Sequence, residues 1–236
     1  MRKNKAYCTD ENWSGRTDCK HCAIRSTVLF SVLSEAELED ALREIDNQWV
    51  EAGSELFFQD TKGQYVYTVR SGCVKMVHEI GDGSCHRIVR LHYRGDTFGL
   101  EALLGEPYRH SAIVLQKADI CRIPVSTVQT LRTRNLQLYK QLILRWQATL
   151  DEAEHFLVDL NTGHAESRLA RLLLKLDAHN ERHLIPDLLR EDIAAIIGVT
   201  TETASRLMAD FRRRKLVCDE TNRHMRCDPG ALKSLI

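Results

Sequence analysis

Two groups of residues in this 236-residue chain have the types and spacing to do chemistry. The first is a set of thiols near the start. Cys8, Cys19 and Cys22 all fall within the first 22 residues. Cys19-Lys20-His21-Cys22 is a C-x-x-C, the spacing by which one loop offers two thiolates to a single metal or cluster. The second lies near the end, in Thr200-Thr201-Glu202-Thr203-Ala204-Ser205-Arg206. Glu202 and Arg206 are four apart and Ser205 borders them, so all three share one face of a helix. Arg206 has the fork that grips guanine O6 and N7, and Glu202 can accept from a cytosine amine. Arg212-Arg213-Arg214-Lys215 follows directly and suits phosphate contacts.

These residues need elements to hold them. Ile193, Ile196 and Ile197 place an apolar stripe at helical spacing on a first helix. Ala194 and Ala195 allow close approach of a second helix, Gly198 ends the first, and Thr200 caps the second. Val199, Ala204, Leu207 and Met208 can face inward, leaving Thr201, Glu202, Ser205 and Arg206 outside. This is the pattern of a helix-turn-helix whose second helix enters the major groove. An ordinary helical hairpin would share the apolar spacing; the adjacent Arg run argues for the nucleic-acid face. Leu216-Val217-Cys218 and His224-Met225-Arg226-Cys227 flank a turn at Thr221-Asn222 and read as a small wing.

Upstream, Ser34 and Glu37 look like a capping box opening a short helix over residues 34–46. From about 48 to 124, short apolar runs such as Tyr65–Val69, Val74–His78 and Ile88–His92 alternate with glycine-bearing turns, which predicts a compact antiparallel sandwich or barrel. Residues 126–160 read as one long helix. Tyr139, Ile143, Trp146, Leu150, Ala153, Leu157 and Leu160 recur at spacings of four and three, the seam of a coiled coil. Leu136, Leu142 and Phe156 lie off that seam and could meet the β-domain. Asn161-Thr162-Gly163 marks a hinge, and residues 165–178 form a further amphipathic helix. The resulting division is a cysteine-rich segment at 1–26, a β-domain at 27–124, a dimerisation helix at 125–161 and a DNA-binding domain at 162–236.

The formal net charge is zero, so bulk charge does not announce nucleic acid. Residues 1–163 carry 20 Lys+Arg against 22 Asp+Glu, and residues 164–236 carry 13 against 11. The expectation of double-stranded DNA as partner therefore rests on the local motif. No apolar stretch is long enough to span a bilayer, and the polar N-terminus has no signal-peptide core. A cytoplasmic location without membrane contact is the expectation. There, eight cysteines are more suited to metal or redox duty than to structural disulfides. Cys73, Cys85, Cys218 and Cys227 need no special role, because cysteine packs as a small hydrophobe.

In their order, the β-domain, long helix and winged helix-turn-helix resemble the CRP/FNR family of bacterial transcription regulators. The segments that carry the resemblance are Arg70-Ser71-Gly72-Cys73-Val74-Lys75, Gly95-Asp96-Thr97-Phe98-Gly99, Ala118-Asp119-Ile120-Cys121-Arg122-Ile123-Pro124, and Val199 to Leu207. The resemblance implies an α+β fold: an N-terminal antiparallel, jelly-roll-like β-roll sensor domain, a dimerisation helix and a C-terminal winged helix-turn-helix. It also implies a homodimer that works with RNA polymerase and has no enzymatic activity. Glu202, Ser205 and Arg206 match the E-x-x-S-R pattern of the FNR-like branch, which reads TTGAT-N4-ATCAA palindromes. In the cyclic-nucleotide branch a Glu meets the ribose and an Arg the phosphate; here Leu100 and His110 stand in those places, so cyclic AMP is not the expected effector.

The FNR-like branch holds an oxygen-labile 4Fe–4S cluster on three N-terminal cysteines and one just before the dimer helix. Cys121 sits where that distant ligand belongs, and Cys19 and Cys22 match the C-x-x-C. The third N-terminal ligand departs from the pattern, because Ala23 to Val28 contains no cysteine; Cys8 is the available substitute. Four thiolates are the usual complement of such a cluster. The expectation is a dimeric regulator sensing oxygen or redox state through Cys8, Cys19, Cys22 and Cys121. One alternative keeps the DNA reader and replaces the cluster with a haem, nitric oxide or thiol–disulfide sensor. A lower alternative is a zinc-binding or redox enzyme, which lacks any convergent nucleophile–base pair or phosphate-cradling glycine loop.

Overall fold

The structure is a computed structural model that describes residues 13, 22, 24, 29–34, 37, 44–81, 85–180, 183–220 and 224–236. Six strands form one antiparallel sheet that curls into a roll: β1 (Asp46–Val50), β2 (Glu55–Phe57), β3 (Tyr65–Ile80), β4 (Cys85–His92), β5 (Thr97–Phe98) and β6 (Ser111–Pro124). The path runs β1-β6-β3-β4, with β2 on β6 and β5 on β3. Alternation along the strands sends Val50, Tyr67, Val69, Val74, Met76, Val114 and Ile120 into the roll.

The runs Tyr65–Val69 and Val74–His78, separated in sequence by Gly72, are parts of one strand. The strand bends there because Gly72 has φ 86° and a Cβ on it would stand 2.3 Å from the Lys117 carbonyl oxygen. The pairing with β6 shifts register on both sides of this glycine, as a β-bulge does.

The single helix read over 126–160 is two: α1 (Val125–Arg134) and α2 (Leu136–Asn161). Asn135 divides them. Its backbone is extended, and its side-chain oxygen accepts from the N–H groups of Gln137 and Leu138 at 2.9 and 3.2 Å. A residue that caps the second helix cannot continue the first. The capping box is formed, with Ser34 N–H donating to Glu37 Oε2 at 2.9 Å. Most of the short helix read over 34–46 lies outside the described residues, and Asp46 already belongs to β1.

Beyond Thr162 and Gly163 (φ 82°), α3 (Ala165–Ala178) is followed by β7 (Ile185–Pro186), α4 (Arg190–Ile197), α5 (Thr201–Arg213), β8 (Val217–Glu220), β9 (His224–Cys227) and α6 (Pro229–Lys233). The wing has three strands, ordered β7-β9-β8; β7 carries no periodic signal because it is two residues long. The turn at Thr221-Asn222 lies outside the described residues. Leu169, Leu172, Leu173, Ile193, Ile197, Met208 and Phe211 form the core of this unit. That core is continuous with Val77, Ile88, Leu91 and Tyr93 on the outer face of the roll.

Candidate functional site

The α5 helix starts at Thr200, whose side-chain oxygen accepts from Thr203 N–H at 3.2 Å. Ala204, Met208 and Phe211 are fully buried and anchor it on α4 and the core. The opposite face presents Thr201, Glu202, Ser205 and Arg206 to solvent, as the spacing predicts. Arg206 Nη2 donates to Glu202 Oε1 at 2.5 Å, and both side chains are more than two-thirds exposed. So exposed a pair is weak, and both groups remain available to a base edge. Gly198 ends α4 with φ 67°, and the Arg87 guanidinium lies 2.8 Å from where its Cβ would be. A side chain at this turn would meet both the left-handed backbone and that guanidinium.

The basic run is less free than its composition suggests. Arg212 is held by Asp219, with Nη2 and Nε contacts of 2.8, 3.0 and 3.1 Å, and by Asp187 at 3.2 Å. That clasp ties α5 to the wing and holds the Asp219 carboxyl below its usual range. The Arg212 guanidinium, expected to meet a phosphate, is paired within the chain and 27% exposed. Arg214 bonds Glu166 and Asp210. Arg213 pairs with Asp210 but is 80% exposed, which leaves it the better placed of these to reach a phosphate.

The thiols divide by burial. Cys121 is 8% exposed, on β6, among Phe30, Leu33, Ile45, Ile123, Val128 and Leu138. Phe30 and Leu33 belong to the segment that follows Cys22; Val128 and Leu138 begin the two helices. Cys22 is half-buried. Cys8 and Cys19 lie outside the described residues. Among the described residues no three His, Cys, Asp or Glu side chains converge to hold a metal ion. Burial pushes the Cys73 thiol far up, and Cys227 up to about 11, so neither is a ready thiolate.

On α2, Tyr139, Ile143, Trp146, Leu150 and Leu157 are 44–64% exposed and Ala153 is half-buried. Tyr139, Ile143, Trp146 and Leu150 line an apolar groove of about 330 Å³ together with Leu103, Leu104 and Val128. Leu160, read as the last residue of this seam, is instead wholly buried in its own chain's core, because α2 ends beneath α3. Of the off-seam residues, Phe156 is buried and Leu142 partly so, while Leu136 is 85% exposed. No helix among the described residues is long and apolar enough to cross a membrane.

Comparison with known proteins completes the assignment. Residues 47–135 match the cyclic nucleotide-binding domain, and residues 167–235 match the Crp-like helix-turn-helix domain. The chain belongs to the CRP/FNR family. Its members are DNA-binding transcription regulators, not enzymes, and are typically dimeric. The fumarate and nitrate reduction regulatory protein of Vibrio cholerae is 27% identical over 208 residues, which is 84% of this chain and 82% of that one. The regulatory protein HlyX of Actinobacillus pleuropneumoniae is 26% identical over 223 residues, 89% of this chain and 91% of that one. Among solved structures, FixK2 from Bradyrhizobium japonicum shares the fold with a TM-score of 0.70 at 24% identity, covering 81% of this chain and 96% of that one.

In this CRP/FNR chain the β-roll and the helix-turn-helix unit meet through polar contacts that periodicity does not announce. Lys75 on β3 bonds Asp192 on α4, with side chains only 13% and 6% exposed. Arg87 on β4 donates to Asn161 Oδ1, at the end of α2, at 2.6 Å. Tyr93 stacks on His179 with ring centroids 3.9 Å apart. Only the charge of Lys75, set between the apolar Val74 and Met76, hints at such a pair. Removing one partner strands a buried charge. Lys75→Met should cost about 2–4 kcal/mol, somewhat under the 3–5 of a fully buried pair. Lys75→Met/Asp192→Leu should recover most of it. Urea unfolding of the two variants checks this; a double variant no more stable than Lys75→Met would show that the loss does not come from a stranded Asp192 carboxylate.

Proposed function

We propose that the chain is a homodimeric transcription regulator that reads TTGAT-N4-ATCAA-type sites through α5 and senses oxygen or redox state at a 4Fe–4S cluster held by Cys8, Cys19, Cys22 and Cys121. The observation that carries the sensor reading is the setting of Cys121. This thiol is buried where the segment after Cys22 packs against β6 and the start of both helices. The two described donors, Cys22 and Cys121, suit the group in type, since iron–sulfur clusters are held by thiolates. When bound, the cluster supplies an oxygen-sensitive tie between the N-terminal segment and β6.

The chain's own residues carry the rest. Phe30 and Leu33 pack on Val128, Leu131 and Leu138. Asn135 Nδ2 donates to the Glu37 carboxylate at 3.2 and 3.3 Å, while its oxygen caps α2. Ordering the N-terminal segment therefore orders the start of the helix that carries the exposed apolar seam. The partner copy covers that seam, and the dimer places two α5 helices on successive half-sites.

The roll does not suit a cyclic nucleotide. Its interior is filled by rings: Phe57 stacks on Tyr108 at 3.8 Å and Tyr67 on Phe98 at 5.5 Å between centroids. Leu100 is buried and offers no hydroxyl acceptor. Burial, reinforced by Arg90, pushes His110 down to about 4, so it is neutral at pH 7 where a phosphate would need a cation.

The visible spectrum of protein purified without oxygen tests the sensor. A broad brown absorbance is expected; a sharp Soret band would mean haem, and a colourless protein would mean zinc or bare thiols. Base reading is tested separately. Arg206→Ala should lose about 1–3 kcal/mol on a TTGAT-N4-ATCAA duplex and lose preference at its G·C pair alone. Arg213→Ala should weaken binding to every sequence and flatten its salt dependence. If Arg206→Ala still distinguishes that duplex from one with the G·C pairs swapped, this recognition scheme fails.

A further inference from the structure

Trp13 stands in a polar stretch that the motifs leave unused, and yet it is 8% exposed. Its ring packs beside Tyr67, with centroids 6.3 Å apart, among the residues that fill the roll. Arg122 lies between two aromatic faces, its Cζ 4.6 Å from the centre of Trp13 and 4.3 Å from the centre of Tyr65. Arg122 is itself 7% exposed and bonds Asp46 Oδ2 at 3.1 Å. A guanidinium this buried gains from flat π faces, which an aliphatic side chain does not supply.

The placement bears on the thiols. Cys121 and Arg122 are neighbours on β6, so their side chains leave opposite faces of the strand. Cys121 packs against Phe30 and Leu33, while Arg122 packs against Trp13. Cys19 and Cys22 thus fall in sequence between two anchors that grip opposite faces of the strand carrying Cys121. Cys19 lies six positions after Trp13 and Cys8 five positions before it. Those lengths reach at most about 20 Å.

We propose that Trp13 is a positioning residue that docks the cysteine-bearing segment on β6 with Arg122 as its receptor, and so confines the N-terminal ligands near Cys121. The docking stands on the geometry of Trp13 and Arg122; the consequence for ligands rests on the cluster reading above. The two are separated by measuring Cys22 alkylation in reduced, metal-free full-length protein, and iron and sulfide in protein prepared under nitrogen. Trp13→Leu fills the space without a π face, and Trp13→Phe keeps one.

Trp13→Leu and Arg122→Met should each alkylate at Cys22 at least about tenfold faster than the parent, with Trp13→Phe returning towards the parent rate. Both substitutions keep an apolar or equally long side chain, and far-ultraviolet circular dichroism confirms that each variant is folded. In loaded protein, Trp13→Leu should fall from about four iron atoms per chain to less than about one, and Trp13→Phe should retain most of them. Alkylation of Trp13→Leu within twofold of the parent overturns the docking. Faster alkylation with parent-level iron overturns the ligand-positioning role. A parent without iron under nitrogen refutes the cluster reading, and the alkylation rates then decide the docking alone.

Discussion

Leu150→Glu is expected to leave the chain monomeric. Leu150 is 52% exposed, near the middle of an apolar row that runs from Tyr139 to Leu157. A single chain tolerates a glutamate there because the carboxylate can stay in water. In a symmetric pair of α2 helices, two such carboxylates would face apolar surface and each other. An uncompensated charge of this kind costs about 3–5 kcal/mol, which weakens association roughly a hundredfold to a thousandfold or more. Sedimentation of the variant at micromolar concentration should show one species of 27.1 kDa, and affinity for a two-half-site duplex should fall with it. A stable dimer in Leu150→Glu would mean that this face of α2 is not the seam. Substitution at Leu160 is a poor test of the same idea, because that residue supports its own chain's core and its loss would unfold the monomer.

Cys121→Ala should abolish iron binding while leaving the fold intact. Cys121 sits among Phe30, Leu33, Ile45, Val128 and Leu138, where alanine is apolar and smaller and the loss is a modest cavity. Under nitrogen, iron should drop from about four atoms per chain to below one. Cys73→Ala is the comparison: burial holds the Cys73 thiol protonated, so iron should be unchanged. Full iron in Cys121→Ala would remove the distant ligand from the set and with it the proposed link to the dimer helix.

The recognition helix is legible in the amino-acid order because its information is local. Thr200, Gly198 and the apolar residues at positions 193, 196, 197, 204 and 208 each act within one or two turns of chain. Helical periodicity, left-handed glycine and N-capping suffice to orient Glu202, Ser205 and Arg206 outward. The roll is legible as a class, through alternating runs and glycine turns, but not as connected strands. Gly72 reads as a break, and only the close approach of Lys117 and Ala118 makes it a bend within β3. Asn135 is a similar case, since a break in an otherwise helical run becomes visible once its side chain is seen to cap α2.

By itself, then, the sequence determined the α+β order of elements, the outward face of α5 and the apolar row on α2. These follow from residue type and short spacing, which need no knowledge of distant chain. Tertiary structure alone decided that Arg212 pairs with Asp219 and Asp187, that Leu160 belongs to the core, and that Lys75 meets Asp192. It alone placed Trp13 on Arg122, beside the strand position of Cys121. Each of these joins residues between 7 and 117 positions apart. Charge pairing and burial at that range depend on which surfaces the folded chain brings together, and no local period records that.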